Sequence, residues 1–209
     1  MDFAGKRVNW RWEVVHETQE ENIVTGETIL WRRIDLPGHD ACILRKTETG
    51  WRLQGTALFA VDAQPCQLAY EVACDAAWHA RSAAVTGWIG RGAVSLTISA
   101  RPESRWDLDG IDQPAVAGCV DLDLNFTPAT NLIAIRRLAL EIGEAADAPA
   151  AWLDFPEMRL AKLAQRYERV SVEQYRYQAP GVHYAEILDV SGAGFVTRYP
   201  GLWEMETLQ

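Results

Sequence analysis

The sequence predicts a mainly β protein with one principal helix, on three observations. Hairpin patterns recur along the chain, one central segment alternates apolar with acidic residues, and a single stretch has the apolar spacing of a helix. With 209 residues the chain is long enough to bury a substantial core.

Three hairpin patterns define the predicted sheet. Each contains an alternating strand, a short polar turn and a second strand with an aromatic residue near its start. Trp51 and Trp106 both begin the motif Trp-x-Leu-x-Gly, which favours repeated units of one roll, although three loose copies could arise by chance. The hairpins span residues 41–55, 93–110 and 185–201, and further strands are expected at 6–15, 29–34, 68–74, 83–89, 172–177 and 182–190.

The helical stretch covers residues 157–169. Pro156 suits a first helical turn, and Glu157 complements the positive end of the helix dipole. The apolar residues that follow have the spacing i, i+3, i+4 and i+7: Leu160, Leu163, Ala164 and Tyr167. Such a helix would cover one opening of a curled sheet.

The most informative segment is residues 119–140. Apolar and acidic side chains alternate through Asp121 and Asp123, which predicts a half-buried strand. A run of turn formers separates it from a second, almost wholly apolar strand that contains Arg136 and Arg137. Because a buried guanidinium without a partner is costly, we predict that both aspartates and both arginines form one polar cluster. The cluster could fix strand register or face a ligand.

Composition excludes some partners and leaves others open. The net charge of −9 and the absence of a Lys/Arg cluster argue against nucleic acid and against an anionic membrane surface. No segment has the roughly 20 apolar residues of a transmembrane helix, and the first residues do not resemble a signal peptide, so a cytoplasmic location is expected. The four cysteines are irregularly spaced, which favours buried free thiols over a zinc site or disulfides.

Short motifs characteristic of one protein family recur along most of the chain. They occupy residues 50–55, 106–110, 119, 121–123, 126–131, 135–138, 155–156, 165–167, 175–177 and 199–203. Together they resemble a bacterial family of glycolipid-binding proteins that was formerly a domain of unknown function. The resemblance implies a long antiparallel sheet curled into a spiral β-roll or open barrel around an apolar interior, similar in shape to lipoprotein-localisation carriers. It covers residues 30–209 as a single domain, so residues 1–29 are expected to add edge strands to that domain.

The leading hypothesis for function is a binding or carrier protein without catalysis. Its ligand would be a glycolipid or another amphipathic molecule, with the apolar part in a Trp-lined interior and the polar head on the Asp/Arg/Asn cluster. No cofactor or metal is expected, since the four histidines are scattered without ligand spacing. The candidate ligand-binding residues are Trp88, Trp106, Asp121, Asp123, Asn125, Arg136 and Arg137.

Two other classes of function stay open. Paired carboxylates among Asp107, Asp109, Asp121 and Asp123 could serve a hydrolase of a carbohydrate or an ester, which needs two acids on either side of a cleft. A structural or interaction module with a filled core is the third class. The sequence does not indicate the oligomeric state.

Overall fold

The computed structural model describes residues 26–207. The first half of this part is an antiparallel meander of eight strands: β1 (Gly26–Arg33), β2 (Gly38–Lys46), β3 (Gly50–Val61), β4 (Gln64–Asp75), β5 (Ala80–Ile89), β6 (Gly92–Arg101), β7 (Arg105–Leu108) and β8 (Ile111–Asp112). The second half contains β9 (Asp121–Leu124), α1 (Asn131–Leu138), β10 (Ala145–Asp147), β11 (Ala150–Asp154), β12 (Arg159–Leu163), β13 (Arg166–Arg169), β14 (Gln174–Ala179), β15 (Tyr184–Val190), β16 (Val196–Tyr199) and β17 (Trp203–Met205).

Fourteen of these strands form one antiparallel sheet. Their order is β10-β13-β14-β15-β16-β17-β1-β2-β3-β4-β5-β6-β7-β8, and the two end strands do not pair within the described residues, so the sheet stays open. The pairing of β1 with β17 joins the two halves of the chain. Trp31 lies at this junction and is fully buried, with its indole N–H donating to the Val196 carbonyl over 2.6 Å. The predicted curled β-roll is therefore confirmed.

The alternation of side chains explains why the long strands curl around a core. In β4 the buried residues are Cys66, Leu68, Tyr70, Val72 and Cys74, and the residues between them are partly exposed. This period of two places one face of the strand inward and the other outward. The predicted strands at 68–74 and 83–89 fall within β4 and β5, which pair directly.

A small second sheet lies inside the curl. Its order is β12-β11-β9, with β11 antiparallel to β12 and parallel to β9. Leu124 and Leu153 from this sheet share one buried core with Leu68 and Val85 from the large sheet. The small sheet therefore fills the space that the large sheet encloses.

Helix α1 connects two apolar cores. Leu132 and Ile133 belong to the core beneath β1–β7, whereas Ala134 and Ile135 belong to a second core that contains Tyr167 from the C-terminal strands. The helix is held between the two halves of the sheet. No helix among residues 26–207 is long and apolar enough to cross a bilayer.

The three predicted hairpins are confirmed, as β2-β3, β6-β7 and β15-β16. The predicted helix at 157–169 is wrong, because its residues form β12 and β13. The backbone of β12 pairs with β11 and that of β13 with β10 and β14, so the helical spacing spanned two separate strands. The main helix instead occupies residues 131–138, where a strand was predicted. The strand predicted at 6–15 lies outside the described residues.

All four cysteines are buried free thiols. Burial raises the pKa of the Cys74 thiol to about 12, and the nearby Asp75 and Asp121 charges add to that rise. These thiols therefore stay protonated near neutral pH and pack as small apolar groups.

Candidate functional site

A pocket of about 290 Å³ opens where the small inner sheet meets the C-terminal strands. We call it the Asp123 pocket. One side is polar and the other is rich in aromatic rings. Its lining residues are Arg33, Asp123, Asn125, Thr127, Asn131, Trp152, Leu163, Val182, Tyr184, Tyr199, Leu202 and Trp203.

Asp123 comes from β9, whose alternation places Leu122 and Leu124 in the core and Asp123 on the opposite face. Its Oδ2 accepts a hydrogen bond of 2.6 Å from the Gln165 side-chain amide. Burial raises the pKa of Asp123 to about 6, the Gln165 bond opposes the rise, and the negative charge of Asp121 adds to it. Within residues 26–207 no group donates a hydrogen bond to Asp123 Oδ1, so this oxygen is available to a ligand.

The turn after β9 supplies two more polar groups. Thr127 caps a short 3-10 turn at Pro128–Thr130, because its hydroxyl oxygen accepts from the Ala129 N–H over 3.0 Å. The turn leads directly into α1, whose first residue, Asn131, donates from its side chain to the Tyr167 hydroxyl over 2.8 Å. This donation uses the amide nitrogen of Asn131, and no group among residues 26–207 donates a hydrogen bond to its Oδ1.

A buried carboxyl lies behind Thr127. Asp40 is fully buried, accepts from the Tyr70 hydroxyl over 3.0 Å, and accepts a second hydrogen bond from the Thr127 hydroxyl. Burial raises the pKa of Asp40 to about 7, although both hydrogen bonds act to lower it. Asp40 and Tyr70 therefore tie β2 and β4 to the turn that lines the pocket.

Aromatic side chains form the other side of the pocket. Tyr184 and Tyr199 meet edge to face with their centroids 5.1 Å apart, and the Tyr184 hydroxyl donates to the Pro200 carbonyl over 2.7 Å. The Trp203 ring lies 5.0 Å from the Arg33 guanidinium. Because these contacts fix the rings, the aromatic wall is preformed.

Arg33 lines the pocket and is paired with a carboxylate. Its guanidinium donates to both oxygens of Asp35, over 2.9 and 2.6 Å. The Phe59 ring lies 5.0 Å from the guanidinium carbon, as the Trp203 ring does. The charge of Arg33 is therefore already compensated.

The predicted Asp/Arg cluster forms only in part. Arg137 pairs with Asp121 through two hydrogen bonds of 2.7 and 2.6 Å, and this pair joins α1 to β9 outside the pocket. Asp123 bonds to Gln165 rather than to an arginine, and Arg136 bonds to backbone carbonyls in a turn near residue 192. A cluster of all four charged residues is therefore wrong, because α1 turns the two arginines in different directions where a strand was predicted.

The two predicted tryptophans lie away from the Asp123 pocket. Trp106 is buried in the core and donates its indole N–H to the Cys119 carbonyl over 2.9 Å. Trp88 on β5 is 39% exposed. Of the seven predicted ligand residues, the pocket contains Asp123 and Asn125.

The sequence profile of a family described as "Putative glycolipid-binding" matches residues 28–205. The chain belongs to this family. The match covers nearly all of the residues that the structure describes, and it confirms the family membership that the sequence resemblance predicted.

A solved structure supports the membership of the glycolipid-binding family. It is the crystal structure of a DUF1089 family protein from Pseudomonas aeruginosa, which is 27% identical to this chain with a TM-score of 0.65. The similarity covers 95% of this chain and 99% of the other. No curated protein sequence matches the chain significantly.

Sequence reasoning missed most of the wall of the Asp123 pocket in this member of the glycolipid-binding family. Thr127 and Asn131 belong to the run of turn formers that follows the Asp123 strand in the sequence, and the structure shows that both residues also line the pocket. Tyr199 and Trp203 belong to segment 199–203, whose resemblance to the family was the one available signal. Among residues 26–207 no three His, Cys, Asp or Glu side chains are grouped to hold a metal ion.

Proposed function

We propose that this protein binds the sugar headgroup of a glycolipid, or of a similar amphipathic molecule, in the Asp123 pocket without transforming it. One observation carries the proposal: the polar side chains of Asp123, Asn125 and Asn131 line one pocket together with four aromatic rings. The description of the family as glycolipid-binding agrees with this reading.

The chemistry of the two sides suits a sugar. A hexose presents hydroxyl groups around its edge and C–H groups on its faces. The hydroxyls can donate to Asp123 Oδ1 and Asn131 Oδ1 and exchange hydrogen bonds with the Asn125 amide. The C–H face can pack on Trp152, because the face of an aromatic ring is negative and attracts slightly positive hydrogens.

The size of the pocket limits what it can enclose. Its 290 Å³ lies at the lower end of small-molecule pockets, which span roughly 300–1,000 Å³. Leu163, Val182 and Leu202 give the pocket an apolar margin where the start of an acyl chain could rest. The rest of the chain would extend from the opening, since Trp31, Trp106 and the small sheet occupy the interior.

Binding is favoured over the hydrolase alternative by the charges in the pocket. Glycoside hydrolysis needs two carboxyl groups on either side of the substrate, about 5 to 9.5 Å apart. Of the described residues that line the pocket, Asp123 is the single carboxylate, and Asp121 is occupied by Arg137. The raised pKa of Asp123 follows from its burial and serves a hydrogen-bonding role equally well.

The buried free thiols support a reducing compartment, and we place the protein in the cytoplasm on that basis. There it would carry or sense its ligand as a binding protein rather than an enzyme.

Titration of the protein with octyl glucoside below its micelle concentration tests the proposal. Trp152 and Trp203 line the pocket, so a saturable change in tryptophan fluorescence is expected. Octyl tetraethylene glycol ether, which has the same chain and neither a sugar nor a phosphate group, should give a much weaker change. Equal responses to both detergents, or no saturable response to either, would refute sugar recognition.

Asp123→Asn and a matched control locate the binding site. Replacing the carboxylate removes a charge-assisted hydrogen bond worth about 1.5–3 kcal/mol, which corresponds to a loss in affinity of roughly tenfold to a hundredfold. Asp147→Asn makes the same chemical change at an exposed position paired with Arg166, and it should bind like the wild type. An unchanged affinity in Asp123→Asn would place the sugar elsewhere.

A further inference from the structure

A second pocket, of about 280 Å³, lies at the other end of α1. We call it the Arg136 pocket. The first turn of α1 faces the Asp123 pocket and its last turn faces the Arg136 pocket. Its lining residues are Ile135, Arg136, Ala139, Arg169, Val172, Tyr175, Val190, Ser191, Gly192 and Gly194.

Positive charge dominates the Arg136 pocket. Arg136 and Arg169 are its two ionised lining residues, and the lining contains no aspartate or glutamate. Within residues 26–207 neither guanidinium lies within salt-bridge distance of a carboxylate, although most other arginines of this acidic chain do. The pocket therefore concentrates two positive charges in a chain whose net charge is −9.

Backbone carbonyls hold both arginines in place. Arg136 donates to the Ala193 and Gly192 carbonyls over 2.7 and 3.1 Å. Arg169 donates to the carbonyls of Leu140, Ser171 and Val172 over 3.0, 3.3 and 3.3 Å. These contacts orient the two side chains without neutralising their charge.

Half of the N–H donors of Arg136 and Arg169 are not used in these hydrogen bonds to carbonyls. Each guanidinium has five N–H groups, and the five hydrogen bonds to carbonyls use half of the pair's donors. A planar guanidinium group that is held in position can donate two parallel hydrogen bonds to the oxygen atoms of a phosphate or sulfate.

A hydroxyl group and a tightly shaped turn complete the pocket. The Arg169 guanidinium carbon lies 5.9 Å from the centre of the Tyr175 ring. Burial raises the pKa of the Tyr175 phenol, and the charges of Arg169 and Arg136 both act to lower it. Gly194 has a φ of +98°, and an added Cβ would lie 3.0 Å from Arg136 Nε. The turn at residues 191–194 therefore packs closely around Arg136 and fixes its direction.

We propose that the Arg136 pocket binds a phosphate or sulfate group, either as the free anion or as an ester on a larger molecule. This site is separate from the Asp123 pocket and does not depend on sugar binding there. Ile135, Val172 and Val190 add apolar contacts beside the charged groups, which suits an ester with a short apolar part.

Isothermal titration calorimetry at constant ionic strength tests the proposal with inorganic phosphate, inorganic sulfate and glycerol phosphate as separate ligands. At least one should bind saturably to the wild type, whereas chloride should not. Phosphatidylcholine vesicles with and without phosphatidic acid form a further arm, measured by cosedimentation. Cosedimentation only with phosphatidic acid, together with weak binding of the small ions, would identify a lipid phosphate as the source.

Three variants assign any binding to the pocket. Arg136→Gln and Arg169→Gln should each weaken anion binding at least about tenfold. Arg198→Gln removes the same charge from β16, at a position 62% exposed and 3.9 Å from Asp189, and should bind like the wild type. Arg136→Lys keeps the charge but loses the planar fork, so it should bind with intermediate affinity.

The titration of the wild type tests anion binding even if one of the variants fails to fold. No saturable binding of any of these anions or of the phosphatidic acid vesicles would overturn the proposal. Equal losses in Arg198→Gln and Arg136→Gln would also overturn it, because they would show a general charge effect.

Discussion

Arg137 should be needed to neutralise the buried carboxylate of Asp121 in the inner sheet, and Arg137→Met tests this. Asp121 is 2% exposed and Arg137 17%, and two short hydrogen bonds join them. Methionine keeps most of the volume of the side chain but leaves the Asp121 carboxylate buried without its partner. Removing one member of a buried pair costs about 3–5 kcal/mol of unfolding free energy.

This loss of unfolding free energy corresponds to a measurable shift in the melting temperature. In chains of this size 1 kcal/mol corresponds to about 2–4 °C, so Arg137→Met should lower the melting temperature by about 6–20 °C. Urea unfolding followed by circular dichroism gives the free energy directly. The double variant Asp121→Leu/Arg137→Met should recover much of the loss, because no unpaired charge remains.

An exposed ion pair supplies the comparison. Arg166 and Asp147 form a salt bridge of 2.8 Å with side chains 48% and 75% exposed. Arg166→Met should cost less than about 1 kcal/mol. If Arg137→Met cost no more than Arg166→Met, or if the double variant were as unstable as the single one, the assigned role of the Asp121 pair would be wrong.

Three further predictions follow from the same contacts. Because burial raises the pKa of Asp40 from an ordinary value of 3.8 to about 7 in the folded state, folding stability should fall as the pH rises from about 4 to 7. Asp40→Asn should flatten that part of the stability curve in urea unfolding, and an unchanged curve would contradict the assignment. Gly55→Ala should destabilise the fold by about 1–3 kcal/mol, because the added Cβ would lie 2.2 Å from the Tyr70 hydroxyl. A melting temperature equal to that of the wild type would contradict this, because it would show that Tyr70 can move aside. Octyl glucoside affinity should rise as the pH passes upward through about 6, where Asp123 ionises, and fluorescence titration of Asp123→Asn should show no such rise.

The hairpins could be predicted because their signals are local. Strand, turn and strand follow one another within residues 41–55 and 93–110, so alternation and turn formers suffice. The pairing of β1 with β17 has no such signal, since it joins segments at opposite ends of the chain. Arg33 and Trp203, which meet through this pairing, could not be assigned to one site from sequence.

The helix was misplaced for a physical reason. Residues 132–135 are all apolar because α1 is enclosed by two cores, so the segment lacks the polar face that reveals an amphipathic helix. Residues 160, 163 and 167 have the spacing of such an apolar helical face, although they lie on two separate strands. Their strands β12 and β13 are determined by pairing with β11 and β14, which local spacing does not encode.

The candidate site was predicted in part. Alternation around Asp123 and Asn125 identified the polar edge of the pocket, and charge balance correctly predicted a partner for Asp121 among the nearby arginines. The partner of Asp123 is Gln165, from the segment assigned to a helix, and it was therefore missed. The sequence predicted aromatic residues at the site, but Trp152, Tyr184 and Tyr199 rather than Trp88 and Trp106 line the Asp123 pocket.

A crystal structure of the protein with octyl glucoside tests the central claim most directly. The account predicts a sugar ring stacked on Trp152, with a hydroxyl group donating to Asp123 Oδ1. A sugar bound against the exposed Trp88, or a detergent whose alkyl chain alone occupies the Asp123 pocket, would contradict it.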